Sequence, residues 1–403
     1  MSIDNDMVRR IYLRAQKTFF VNNVAMSLAN REPGDALKVQ GGRKVHKPLI
    51  GFAEMQDYTP HTATSSSQRV STENEELTVD RDTHAQSIHI DIDDTEKAQL
   101  KDQDLESRYG NILGATMKDS VEKRWVDNVT SGADIGSASS PVDFSGANIL
   151  DTVEEGLGIV DVNDVMDISR VILVGPRAYR AIEKATANRE TKLGDTSYIN
   201  GLAMRQLMDA QLVKINNLPW SGTLTLGANV TDTDYITIAG VRINFFDDVA
   251  DHVAGQPTVH IGASASATAD NLVALLAGTG TAGTDYVVGS LTAMRKLKRN
   301  RKVRGTNTTG TIAFTGYGDI STGASFTSAS NLWSAQVGSL FFTAIGATDL
   351  ALQLDEGIEM SRPKPMTGEA HFTRLSGVVL HNSKTFTDGQ EMVVKTFVDA
   401  SNY

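Results

Sequence analysis

The sequence predicts an α+β chain in which a small α+β module is set into a larger host. Three observations carry this expectation. The hydrophobic period switches between helical and alternating several times along 403 residues, without a regular βαβ repeat. One capped helical pattern, opening at Asp93, runs far longer than its neighbours. Composition turns rich in Thr, Gly and Ala after Trp220 and reverts after Trp333.

Length and composition narrow the chemistry. With 40% hydrophobic and 22% charged residues, the chain can build cores for two to three domains. Zero cysteines exclude disulfides, thiolate metal sites and cysteine nucleophiles. The net charge of -11 argues against a protein whose main business is coating phosphate backbones. The N-terminus MSIDNDMVRR lacks the apolar run of a signal peptide, and no stretch is long enough for a membrane span. A cytoplasmic protein with no membrane partner is expected.

The first elements follow from period and punctuation. Ile3, Met7, Ile11, Phe19, Val24 and Leu28 form a loosely helical pattern whose basic face is Arg9, Arg10, Arg14 and Lys17; Pro33-Gly34 closes this arm, 1–34. From Ala36 to Ile92 the period becomes two, with strand-like runs at Leu37 to Val39, Val45 to Phe52, Leu77 to Val79 and Ile88 to Ile92. Between them Thr59 to Asn74 is polar and nearly free of aliphatics, an extended loop with no core of its own. These runs make a long two-stranded excursion, 35–92.

Asp93 and Glu96 are spaced as a capping box, and Leu100, Leu105, Ile112, Met117, Val121, Trp125 and Val129 follow at helical intervals. This spine helix, 93–132, is expected to span roughly 35 residues and about 50 Å. A loop from Asp134 to Gly146 leads to a helix over Ala147 to Ile159, a buried strand Val171 to Val174 stopped by Gly175-Pro176, a helix over Arg177 to Ala185 and a short unit over Gln211 to Asn216, within 133–220.

The module over 221–333 reads as strands around Ala239-Gly240, Val259 to Ile261, a helix over Ala267 to Ala277, then strands over Leu291 to Arg304 and Gly310 to Gly316. Closing strands occupy 334–403, with runs at Val337 to Thr343, Leu350 to Leu354, Leu375 to Asn382 and Met392 to Val398.

No constellation points to catalysis or to a cofactor. Gly278-Thr-Gly280-Thr-Ala-Gly283 matches a dinucleotide fingerprint by letter, but it follows a helix where a phosphate loop must precede one, so it reads as a turn. His84, His89, Asp91, Asp93 and Asp94 read as the polar side of a strand before a helix cap more than as metal ligands. Ser120-Val-Glu-Lys123 has an acyltransferase spacing without its partner motifs and reads as a solvated helix face.

Charge is the remaining signal. Arg295, Lys296, Lys298, Arg299, Arg301, Lys302 and Arg304 place seven cations in ten residues without aromatics for base stacking. Glu73, Glu75 and Glu76 open a stretch to Glu106 with 12 acidic and 3 basic residues. Pairing between such segments fits protein–protein contact better than DNA. These cations and carboxylates, with the four of the arm, are the candidate intersubunit or genome contacts.

Taken in order, these segments resemble the major capsid protein of tailed double-stranded DNA phages, the HK97-type fold. The resemblance is carried by VHKPLIGFAEMQDY from Val45, by ENEELTVDRDTHAQSIHIDIDDTEKAQL ending at Leu100, by the helix through Asp127, by VILVGPRAY from Val171, and by YINGL from Tyr198 with QLVKINNLP from Gln211. It covers about 290 residues, by order and texture, and leaves out 221–333, whose ITIAGVRINF and VHIGASASATADNLV are similar to small modules of phage structural proteins. In that family such texts form the N-arm, the E-loop, the P domain with its spine helix, and the A domain.

The resemblance implies a structural protein, not an enzyme, and no cofactor. It implies self-assembly into pentamers and hexamers, an E-loop over a neighbouring subunit, the basic arm inside an icosahedral shell, and packaged DNA contacted non-specifically. A short arm implies a separate scaffolding protein; a portal and a decoration protein are further partners. The location implied is the virion capsid, assembled in the bacterial host cytoplasm. An encapsulin-like compartment shell, and a non-capsid phage structural or binding protein, stay open as alternatives.

Overall fold

The computed structural model describes residues 5–20, 23–32, 44–50, 72–79, 88–91, 102–163, 169–187, 206–208, 210–248, 251–354, 359–361, 372–376 and 379–401. They form two compact bodies, one from 1–130 with 345–390 and one from 131–344 with 391–403. The chain is mixed α+β.

The first body is built on a helix pair. Helix α1 (Asn5–Phe20) lies along α3 (Asp102–Asp127), and the short α2 (Val24–Leu28) also packs on α3. Gly114 permits the close approach: a Cβ there would stand 2.7 Å from the Thr18 Cβ. Ala15, Phe19, Ala25, Leu28, Leu113, Met117, Val121 and Trp125 are buried in this body. Asn23 caps α2 by accepting the Met26 N–H, and Asn30 bridges to strand β17 (Asp349–Leu354).

Among the described residues three small sheets complete the body. Strands β1 (Lys44–Ile50) and β2 (Thr72–Thr78) pair antiparallel, from Lys44 opposite Thr78 to Ile50 opposite Thr72. β17 pairs with β20 (Val379–Lys384). β19 (Phe372–Ser376) lies between β18 (Glu359–Ser361) and β3 (Ile88–Asp91). A single turn, α8 (Thr387–Gln390), follows β20.

The second body is organised by β16 (Asn331–Ala344), 14 residues long. Along one edge it pairs first with β8 (Pro219–Leu226) and then with β5 (Arg170–Val174); along the other it pairs with β21 (Val393–Asp399). β14 (Thr311–Tyr317) and β13 (Arg304–Thr308) extend the sheet beyond β8, while β7 (Ala210–Lys214) and β6 (Gln206–Leu207) extend it beyond β5. A second sheet has the order β12 (Tyr286–Val287), β11 (Thr258–His260), β10 (Val241–Phe246), β9 (Tyr235–Ile238), β15 (Thr322–Ser325). The β9–β10 turn has Ala239 and Gly240 both at positive φ, as a two-residue I′ hairpin needs.

Two apolar cores lie within this body. One gathers Trp220, Leu224, Ile236, Ile243, Phe245, Leu272, Leu276 and Phe314, with α6 (Ala265–Ala277). The other gathers Val153, Leu157, Ile172, Val174, Ile182, Leu340, Phe342 and Val394, with α4 (Asn148–Val162) and α5 (Pro176–Ala187). Asp319 accepts the backbone N–H of Arg177 in the first turn of α5, so that helix start is met from 142 residues away.

Several expectations change. The strand expected over Leu291 to Arg304 is instead a helical turn, α7 (Leu291–Met294), continuing as a π-helix (Arg295–Asn300) before β13. The Ser290 hydroxyl accepts the Ala293 N–H to start it, and the turn buries Leu297 while Arg295 and Lys296 stay exposed. An extended run would have placed cations on both faces.

The loop expected from Asp134 contains β4 (Ala133–Ile135), parallel to β21. The polar loop expected to reach Asn74 already joins β2 at Thr72. Glu122 and Lys123, expected on a solvated face, are 3% and 2% exposed. Their chemistry is compatible with burial because Glu122 accepts the Val24 N–H and meets Lys118, while Lys123 meets Asp119. The helix start at Asp93 and the run Leu37 to Val39 lie outside the described residues; over 26 residues α3 spans about 39 Å.

Candidate functional site

Among the described residues of the first body, charged side chains gather at the base of the β1–β2 ribbon. Antiparallel register sets Lys47 opposite Glu75 and His46 opposite Glu76. Lys47 ion-pairs with Asp388 at 3.0 Å and with Asp349 at 3.7 Å. Lys384 ion-pairs with Glu75 at 3.1 Å and donates to the Glu76 carbonyl at 3.2 Å. Both ammonium groups also lie over the Phe386 ring, at 5.1 and 4.9 Å from its centroid. One buried aromatic ring therefore carries two cations from different strands, and three carboxylates neutralise them.

The clasp is fixed from every side. Glu75 accepts both the N–H and the hydroxyl of Thr387, and the hydroxyl is the main reason its carboxyl is held below the usual carboxylate range, with Lys384 adding to it. Asp349 is almost fully buried, which pushes its carboxyl upward, while Lys47 and the Asn30 amide, 2.7 Å away, oppose that. Asn382 donates to the Thr78 carbonyl at 2.6 Å. Leu77, Val79, Ala351 and Phe386 form the apolar patch underneath.

On β20, opposite Leu352 of β17, His381 is 1% exposed. Neither ring nitrogen has a hydrogen-bond partner, and burial, reinforced by nearby Arg124, drives its pKa down to about 4. Neutral imidazole is the form this site holds.

Other predicted residues fall elsewhere. Arg9, Arg10, Arg14 and Lys17 are on α1; Arg10 and Lys17 are exposed, and Arg14 turns inward to donate to Asn111 at 3.2 Å. Glu73 is exposed on β2, Glu75 is in the clasp, and Glu76 pairs with Lys44 at 2.6 Å. Arg295, Lys296, Lys298 and Arg299 lie on the π-helix, followed by Arg301, Lys302 and Arg304. Burial, with nearby Arg304, lowers the pKa of Lys298, and Arg301 donates to the carbonyls of Asn216 and Tyr317. The structure thus gathers Glu75 into a cluster with residues that sequence reasoning missed: Lys47, Asp349, Lys384, Phe386 and Asp388. Only the Lys47–Glu75 register is a local signal; Lys47 and Asp388 are 341 residues apart.

The remaining motifs are structural. Gly278, Gly280 and Gly283 all have positive φ in a turn leaving α6, and the Asp285 carboxylate accepts the Thr281 N–H at 2.7 Å, where a phosphate oxygen would have to bind. His89 and Asp91 are on β3, His84, Asp93 and Asp94 lie outside the described residues, and among the described residues no three His, Asp or Glu converge as for a metal ion. Among the described residues no helix is long and apolar enough to cross a membrane.

No protein-family model and no curated protein matches the sequence. Solved structures similar to the chain include one from Mycobacterium phage Che8, at 12% identity and TM-score 0.48, covering 94% of this chain and 92% of that one. The capsid of Ralstonia phage GP4 is similar at 8% identity and TM-score 0.44, covering 92% and 87%. A virus-like particle from Pyrococcus furiosus is similar at 7% identity and TM-score 0.39, covering 98% and 100%. The chain is similar, along nearly its whole length, to phage capsid structures and to a virus-like particle.

Proposed function

We propose that the chain is a shell-forming subunit of the HK97 type, the major capsid protein of a tailed double-stranded DNA phage, working by assembly and not by catalysis. One observation carries the reading: the long helix α3 shares a compact body with a two-stranded ribbon clasped at its base and joined through a polar connection. Two strands cannot bury their own faces. Within the connection, YTPHTATSSSQRV (58–70) offers no aliphatic cluster, so such a ribbon gains a stable partner surface on a neighbouring copy.

In this reading 1–34 is the N-arm, 35–92 the E-loop and P-domain strands, 93–132 the P-domain spine helix, 133–220 the first part of the A domain, 334–403 the closing strands of the A and P domains, and 221–333 an inserted domain on the outer surface. The apolar core drawn from 220–333, joined by Ala400, supports reading that segment as an inserted unit. Pentamers and hexamers of this chain enclose the DNA, with scaffolding, portal and decoration proteins as partners. The cations of the arm and of 295–304 serve as intersubunit or genome contacts.

Electron microscopy of the purified chain tests the proposal. Discrete shells are expected, and a monomer under every salt and pH condition overturns it. Deleting 59–71, which stops short of β2, should leave a folded chain that builds no stable shell. Shells that form normally without those residues refute the role given to the ribbon. Shells carrying an enzyme cargo and no DNA would point to a compartment in place of a virion.

A further inference from the structure

The start of α5 stands where an open α/β sheet binds its ligands. β5 and β7 run parallel and end together, Val174 opposite Lys214, and α5 opens directly after Gly175. Backbone N–H groups at a helix start of this kind attract anions. Here the anion comes from the same chain, because the Asp319 carboxylate accepts the Arg177 N–H. Gly175 makes the room: the three atoms that a Cβ at that position would meet first all belong to this carboxylate.

The turn that delivers Asp319 is tied to the same strand ends. The Gly318 N–H donates to the Leu218 carbonyl at 2.6 Å, and the Tyr317 N–H donates to the Arg301 carbonyl at 2.8 Å. The Arg301 guanidinium donates to the carbonyls of Asn216 and Tyr317 at 3.4 and 3.5 Å. An ordinary cap comes from the residue just before the helix, as Ser264 and Ser290 show for α6 and α7. Gly175 has no side chain to offer, so the α5 start depends on a distant segment. Asp319 is half-buried, and burial pushes its carboxyl upward more than the Arg177 N–H and the Arg177 and Arg301 charges hold it down. Such a carboxylate is held by a narrow margin and can be released.

We propose that this junction is a latch. The ends of β5 and β7 and the first turn of α5 form a carboxylate-binding site, Asp319 is its occupant, and the α5 start and the turn 317–319 loosen together when it leaves. A free carboxylate takes the same place when Asp319 is removed. The inference concerns the second body of a single chain and does not depend on the shell reading.

Hydrogen exchange of the full chain, read at amides 177–179 and 317–318, tests the latch. Asp319→Ala should speed exchange in both segments together, by about tenfold. Sodium formate in the millimolar range should then slow 177–179 again and leave 317–318 fast, because a free anion fills the site without tethering the turn. Equal sodium chloride should do neither. Gly175→Ala carries the test if Asp319→Ala fails to fold, since its methyl displaces the carboxylate with both partners present and should loosen the same two segments. Combining the two substitutions should cost little more than either alone. Loosening at 177–179 with 317–318 unchanged would reduce the contact to a local cap and overturn the latch, as would unchanged exchange in both segments. Additive losses in the double variant, no effect of formate, or an effect that chloride matches would overturn it equally.

Discussion

The β1–β2 ribbon and strand β16 are both extended chain, yet they are held by different forces. β16 is paired on both edges and runs past two apolar cores through Leu340, Phe342 and its neighbours. The ribbon rests at its base on a small patch around Leu77 and Phe386 and is otherwise fastened by Lys47, Lys384, Glu75, Asp349 and Asp388. Apolar burial is insensitive to salt and costly to undo. Partly exposed ion pairs are weak singly, screened by salt and able to exchange partners. The difference separates a part built to persist from one that can be released without unfolding the rest.

The largest expected break in that contrast is on the β16 side. Phe342→Ala empties a fully buried aromatic site and should destabilise the second body by about 3–5 kcal/mol in denaturant unfolding. That loss should be nearly independent of salt.

Next in size is His381, buried on β20. Its folded pKa of about 4 lies below the unfolded value of 6.5, so the unfolded chain binds more protons between them. Stability of the first body should therefore fall as pH drops from 6.5 to 4, by about 3 kcal/mol in total. His381→Leu should flatten that segment of a thermal melting profile against pH.

Within the clasp, Lys47→Ala removes two ion pairs and leaves Asp349 buried without its cation. A loss of about 1–2 kcal/mol is expected at low salt, shrinking as salt rises. Hydrogen exchange of the β1 and β2 amides should report it as faster local opening.

Glu75→Gln should be smallest, about 0.5 kcal/mol, since the amide oxygen can still accept from Thr387. The Glu75 contribution is present above the unfolded pKa of 4.5 and disappears as pH falls through its lowered folded value. The Gln variant should lose that acid dependence.

How far these forces could be read from the chain follows from their range. Val171 to Val174 before Gly175-Pro176 announced a buried strand and a helix start, because a short apolar run and a proline at the first helical position act locally. The helical period through Trp125 was equally plain, but the burial of Glu122 and Lys123 was not, since it depends on the Val24 amide arriving from another segment. The cations after Leu291 suggested a strand because charge carries no period; the Ser290 cap and the single buried Leu297 decide for a helix. Of the clasp, only carboxylates on β2 stood out. Their partners on β20 and α8 are brought in by folding, and nothing in the spacing of Lys384, Phe386 and Asp388 names β2 as their target.

The antiparallel pairing of β8 with β16 puts Ser221 directly across from Val337 and Trp220 across from Gly338. Everything between them leaves and re-enters at two points one strand apart. A two-residue hairpin turn spans that gap, so a protein engineer could graft a foreign domain with adjacent termini there, at the cost of β13, β14, most of β8 and the Asp319 contact to α5.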